Sequence, residues 1–219
     1  MSITKQNPPK IIAVLGGTFD PIHLGHTLPA QETAKWIGAE KLFLIPAHIP
    51  PHKLGTHANA KQRAEMVSLI CANNDNFMLD SRELNRHTPS FTVDTLNEIK
   101  AEHPNTSLYF IMGMDSLLTF TTWHCWQEIL TLCNLVVNIR PGYSHLELED
   151  TLTPELNARL IFNLTDLQPQ KSGQIVIHES KPVNISSTEI RSKIKSGLDC
   201  SQYLEKPVFD FIKQHKLYN

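Results

Sequence analysis

Ile11-Ile12-Ala13-Val14-Leu15-Gly16-Gly17-Thr18-Phe19-Asp20-Pro21-Ile22-His23-Leu24-Gly25-His26 runs from an unbroken apolar stretch, through a glycine pair, to two histidines three residues apart. The five apolar residues suit a strand buried on both faces, as in a parallel sheet. A helical segment follows from about Leu24 to Ile37 and is closed by Gly38; Pro29 within it is tolerable only in the first turn or at a kink. Gly16 and Gly17 let a ligand approach the backbone. The helix start offers unpaired N–H groups and the positive end of a dipole, and His23 and His26 can share one of its faces. Together these parts make a phosphate cradle. A tight turn with surface histidines is the plain alternative. Zinc fits less well, because His-x-x-His has no third ligand in a fixed relation to it. No Gly-Lys-Ser/Thr follows, and Gly-x-Gly-x-x-Gly is absent, so neither the Walker loop nor the dinucleotide fingerprint applies.

Outward from this segment, strands alternate with helices. Residues 41–45, 77–79, 107–112, 134–139 and 174–177 read as strands. Helices are expected over 58–72, 91–101, 117–132 with an interruption around Thr121-Thr122, 187–195 and 208–215. Residues 47–57 read as a loop rich in Pro and His, and 143–172 as loops around one helix. Alternation of this kind predicts a doubly wound parallel sheet with right-handed crossovers, whose ligands sit beyond the carboxyl ends of the strands. No repeat or boundary divides the 219 residues, so a single domain is expected, with residues 1–10 as a flexible tail.

A second segment, Asn184-Ile185-Ser186-Ser187-Thr188-Glu189-Ile190-Arg191, opens a later helix. Ser186 or Ser187 can cap it, with Glu189 in the first turn. Arg191 adds a planar fork suited to phosphate oxygens. Composition narrows the ligand. Twenty Lys and Arg stand against 22 Asp and Glu, for a net charge of −2, without the basic excess of a duplex nucleic-acid binder. A small anion must be held by local geometry. Cys71, Cys125, Cys133 and Cys200 include no C-x-x-C pair and read as reduced thiols. The first ten residues lack the apolar stretch of a signal peptide, and no apolar run reaches membrane-span length, so a cytoplasmic protein is expected.

The stretch from Gly16 to His26 resembles the signature of the nucleotidyltransferase superfamily with the H-x-G-H motif, and more narrowly that of bacterial nicotinate-nucleotide adenylyltransferases. Residues 185–191 resemble the same superfamily's I-S-S-T-x-I-R motif. Further likenesses are Pro46 to Lys53, Pro89 to Leu96 (P-S-F-T-V-D-T-L), Gly113-Met114-Asp115-Ser116-Leu117, Thr122-Trp123 and Arg140-Pro141-Gly142. Where the family often has asparagine, this chain has Ala47 or His48.

The resemblance implies a Rossmann-like α/β sheet with C-terminal helices, and transfer of an adenylyl group from ATP to nicotinate mononucleotide with Mg²⁺ accompanying the nucleotide. It places Gly16, Gly17, Thr18, Phe19, His23, His26, Lys53, Ser187, Thr188 and Arg191 on ATP, with His23, His26 and Arg191 as the catalytic set. His48, Thr92, Gly113, Asp115 and Trp123 fall to the mononucleotide, with Trp123 as a stacking platform, and Arg140 to the adenine end. No residue is assigned to a metal, and neither nucleic acid nor membrane is an expected partner. The alternatives are another adenylyltransferase of the superfamily, accepting nicotinamide mononucleotide or phosphopantetheine, and a nucleotide-binding regulator without turnover.

Overall fold

A computed structural model describes residues 10–48, 55–86, 88–139, 151–181 and 183–219. Seven parallel strands form one sheet. They are β1 (Lys10–Gly17), β2 (Lys41–Pro46), β3 (Phe77–Leu79), β4 (Thr106–Gly113), β5 (Asn134–Ile139), β6 (Leu160–Ile161) and β7 (Ile175–Glu179), in the spatial order β3-β2-β1-β4-β5-β7-β6. The chain winds outward from β1 through β2 to β3, then returns to lay β4 on the other side of β1. The strand order therefore reverses between β1 and β4, and a crevice opens beyond their carboxyl ends. Gly16-Gly17 closes β1 there and Gly113 closes β4.

Alternate strand residues face opposite sides of the sheet, and each side has its own core. Val14, Phe110 and Val137 pack on one side with Leu96 of α3 (Thr92–Glu102) and Ile129 of the helix Trp126–Leu132. Ala13, Tyr109 and Val136 pack on the other with Ala30 of α1 (Leu24–Trp36), Met66 of α2 (Ala60–Cys71) and Phe211 of the last helix, Lys206–Gln214. Burial on both faces is what the unbroken apolar run of β1 predicts.

α1 closes as expected, with Gly38 at φ +71 and the Gly38 and Ala39 amides donating back to Lys35 and Ala34. Pro29, expected in the first turn or at a kink, lies in the second turn of α1, where it removes one intrahelical donor. Two further expectations need correction. The helix expected over 117–132 is a five-residue α4 (Met114–Leu118), a 3₁₀ turn (Phe120–Thr122) and a separate α5 (Trp126–Leu132). Cys125, at φ 50, turns the chain between them, so Trp123 stands in a loop. Within 151–172 the structure adds β6, whose two residues pair with β7. A two-residue strand carries no period to read.

Candidate active site

β1 delivers the glycine pair to the crevice. A Cβ on Gly17 would stand 2.6 Å from the ring of Phe19, so only glycine admits that ring. Phe19 is buried, holds φ 51, and meets His26 edge-on with centroids 5.3 Å apart. The chain then turns through Asp20 and Pro21 into α1.

His23 is the N-cap of α1, a place usually taken by Ser, Thr, Asp or Asn. Its Nδ1 accepts from the Gly25 amide at 3.1 Å, while Nδ1 of His26 accepts from the His23 amide at 3.3 Å. The two imidazoles thus make a reciprocal capping box, with centroids 3.8 Å apart. A ring nitrogen that accepts carries no proton, so each neutral ring has its N–H on Nε2. Burial pushes the His23 pKa down to about 4, against the opposing pull of Glu189, and keeps the ring neutral near pH 7. A Cβ on Gly25 would lie 2.9 Å from Nδ1 of His23 and 3.3 Å from Ile185. The glycine of H-x-G-H is therefore what allows the cap to form. The cap engages the Gly25 amide, and the His26 amide donates to the His23 carbonyl at 2.8 Å. These two amides, which the sequence reading offered to an anion, serve the turn itself.

The second segment arrives from β7 and opens α7 (Ser187–Lys195; the short helix Pro154–Asn157 is α6). Ser186 is its N-cap: Oγ accepts from the Glu189 amide at 3.2 Å, and the Ser186 amide donates to the Glu189 carboxylate at 2.8 Å. Ser187 is left to donate from its hydroxyl to the Pro21 carbonyl at 3.0 Å. Arg191 donates to the Asp20 carbonyl at 2.7 Å and to the Thr188 hydroxyl at 3.1 Å. The two helix-start turns, more than 160 residues apart in sequence, are thereby tied together.

Four residues behind these turns were missed in the sequence. Asp20 is buried, and burial opposes its ionisation, yet the amides of His57 and Ala58, the Tyr218 hydroxyl and the charge of Arg191 hold its carboxyl below the usual range. Arg63 is wholly buried and donates to the Thr18 carbonyl at 2.6 Å and the His48 carbonyl at 3.3 Å, joining the ends of β1 and β2. Gly25 and Asp20 lie inside the quoted motif and were legible there. Arg63 sits in an ordinary amphipathic pattern, and Tyr218 in the turn that follows the last helix, so neither carried a local signal.

On the other flank of the crevice, His48 donates from its amide to Ser90 Oγ at 3.1 Å, and its Nδ1 lies 2.7 Å from the Arg86 carbonyl. A carbonyl only accepts, so the Nδ1 N–H donates to it. Thr92 is the first residue of α3, whose N-cap, Phe91, makes no side-chain capping bond. Gly113 is the N-cap of α4, with open space where a Cβ would be, and Asp115 is exposed in its first turn. Trp123 is half-buried, edge-on to Phe110 at 6.0 Å. Lys53 and Arg140 lie outside the described residues. Among the described residues no helix is long and apolar enough to cross a membrane.

A seven-stranded parallel sheet with two tied helix-start turns beyond its switch point defines the Rossmann-like class of α/β proteins. Residues 14–193 match the cytidylyltransferase-like family model. Two relatives are named "Probable nicotinate-nucleotide adenylyltransferase". One, from Psychromonas ingrahamii, is 41% identical over 94% of this chain and 96% of its own. The other, from Pectobacterium atrosepticum, is 44% identical over 96% of this chain and 99% of its own. The solved structure of Plasmodium falciparum nicotinic acid mononucleotide adenylyltransferase complexed with NaAD superposes with a TM-score of 0.68 at 21% identity, over 95% of this chain and 97% of that one, and shows the shared fold. The chain belongs to the nicotinate-nucleotide adenylyltransferase family within the cytidylyltransferase-like group.

Proposed function

We propose that the protein transfers the adenylyl group of ATP to nicotinate mononucleotide, forming deamido-NAD and pyrophosphate, within a single nucleotidyltransferase domain. The observation that carries the reading is the pair of bonds from Ser187 and Arg191 to the carbonyls of Pro21 and Asp20, which ties together the two turns assigned here to the phosphates. The mononucleotide phosphate is ionised at neutral pH and attacks the α-phosphorus of ATP directly. An oxygen–phosphorus bond forms there as the bond to the pyrophosphate oxygen breaks. Catalysis is then positioning and charge stabilisation. Nε2–H of His23 and His26 donates to the α- and β-phosphate oxygens, with Gly16, Gly17, Thr18 and Phe19 bounding the cradle. Ser187, Thr188 and Arg191 hold the β- and γ-phosphates.

Asp20, the carboxylate beside these turns, already accepts from two amides and a phenol. Mg²⁺ accompanying ATP would be held mainly by phosphate oxygens and water, and would supply charge neutralisation on the phosphates. On the acceptor side, Trp123 stacks the pyridine ring, and the first turn of α3 at Thr92 presents donors to the carboxylate. Gly113 admits close approach and Asp115 meets ribose hydroxyls. His48, whose Nδ1 is held by the Arg86 carbonyl, turns Nε2 to the mononucleotide.

Pyrophosphate release with ATP and each of nicotinate mononucleotide, nicotinamide mononucleotide and phosphopantetheine tests the reading. The acid is expected to be used much better than the amide, and phosphopantetheine not at all. A kcat/KM ratio near one for acid and amide refutes the nicotinate assignment. No release with any acceptor refutes transfer itself.

A further inference from the structure

Tyr218 lies 198 residues from Asp20 in sequence and donates its hydroxyl to Oδ1 of that buried carboxylate at 2.9 Å. Burial and the charge of Asp20 both push the phenol's pKa up, so it remains a donor across the working pH range. The same Asp20 presents its backbone carbonyl to Arg191 at 2.7 Å. Tyr218, Thr188 and Arg191 also line one cavity of about 330 Å³ with His57 and Ser192.

The physical issue is competition. A carboxylate has about four lone-pair sites. At Asp20 three are taken, by the His57 amide at 2.8 Å, the Ala58 amide at 3.0 Å and the Tyr218 hydroxyl. The guanidinium of Arg191 is close enough to help hold Asp20 ionised, and a guanidinium pairs readily with a carboxylate in a two-pronged bond. We propose that Tyr218 is a positioning residue for ATP: its hydroxyl satisfies Asp20, so the Arg191 guanidinium stays with the outer phosphates and is not captured by the carboxylate. The role rests on the assignment of Arg191 to the ATP phosphates made above. Tyr218 touches no reacting atom and acts through Asp20 and Arg191.

The test is Tyr218→Phe, which keeps the ring and removes the one donor. Calorimetry with a non-hydrolysable ATP analogue and with nicotinate mononucleotide, each alone, reads the effect. The analogue is expected to bind about tenfold more weakly, the size of one lost bond to a charged group, with the mononucleotide within twofold of wild type and the circular dichroism unchanged. Unchanged analogue affinity, or equal weakening of both ligands, overturns the proposal, since a merely structural role does not distinguish the two. Asp20→Asn supplies the second arm, because a neutral amide has little hold on Arg191. In that background Tyr218→Phe is expected to leave analogue affinity within twofold, and a further tenfold loss contradicts the mechanism. This arm also serves if Tyr218→Phe alone fails to fold. If the wild type binds the analogue but releases no pyrophosphate, the transfer reading fails while these affinity comparisons still decide the role of Tyr218.

Discussion

His23 does two things at once, and both follow from which nitrogen holds the proton. Nδ1 caps α1 through the Gly25 amide, which leaves the proton on Nε2 as a donor. His26 repeats the arrangement one step on. The spacing of the two histidines was readable in the sequence. Their tautomers were not, because these depend on backbone amides that the turn brings within reach. His26→Ala is expected to fold but to lose about 10²–10³ in turnover, the usual effect of removing one preorganised donor; near wild-type turnover in a folded variant contradicts the role. The neutral state of His23 also gives a pH signature. Its folded pKa, about 4, lies below the ordinary 6.5. The unfolded chain therefore binds a proton that the folded one resists, and stability present above pH 6.5 is lost as pH falls toward 4. His23→Asn keeps a capping acceptor but does not titrate. Denaturant unfolding should show the ligand-free wild type losing about 2 kcal/mol more than this variant between pH 6.5 and pH 5. Parallel pH profiles would show that His23 is not held neutral by the fold.

At the scale of elements, each turn proposed to bind phosphate is a helix start held by its own capping box. α1 has its histidine box and α7 its Ser186–Glu189 box. Gly25→Ala pushes a methyl group to 2.9 Å from the His23 ring and is expected to cost about 1–3 kcal/mol in stability, with a fall in turnover as the imidazole leaves its place. Thermal unfolding and a turnover assay on one preparation check both, and an unaffected turnover contradicts the capping account. Arg191→Ala is expected to weaken ATP far more than nicotinate mononucleotide, read by calorimetry with a non-hydrolysable analogue; equal weakening contradicts the placement of Arg191 on the outer phosphates. The long elements were legible because their periods are long. β1 announced itself by five apolar residues and α7 by its cap. The break at Thr119–Cys125 was underestimated because Leu117 to Leu132 keeps apolar residues near helical spacing, while the left-handed turn at Cys125 leaves no mark in composition.

Across the whole molecule, the site is a consequence of strand order. β1 and β4 are neighbours at which the strand order reverses, the place in such sheets where ligands sit beyond the carboxyl ends. A net charge of −2 is no obstacle, since Arg63 and Arg191 concentrate positive charge beside Asp20. Strand alternation predicted this topology. What it could not predict is the set of long-range ties: Arg63 to Thr18 and His48, Ser187 to Pro21, Tyr218 to Asp20. Each joins a side chain to a backbone or carboxylate group well removed in sequence, and sequence spacing does not record which group that is. Arg63→Met removes a buried cation that spans two strand ends and faces Asp20, and is expected to destabilise the fold by about 3–5 kcal/mol, as read by denaturant unfolding; a loss under 1 kcal/mol contradicts the bridging role. The central claim is that the two turns form one triphosphate site. A crystal structure of the protein with a non-hydrolysable ATP analogue tests it most directly. A triphosphate is expected to run from Nε2 of His23 and His26 to the Arg191 guanidinium, with Ser187 and Thr188 alongside. A triphosphate that touches only one of the two turns, or that lies elsewhere on the sheet, would contradict it.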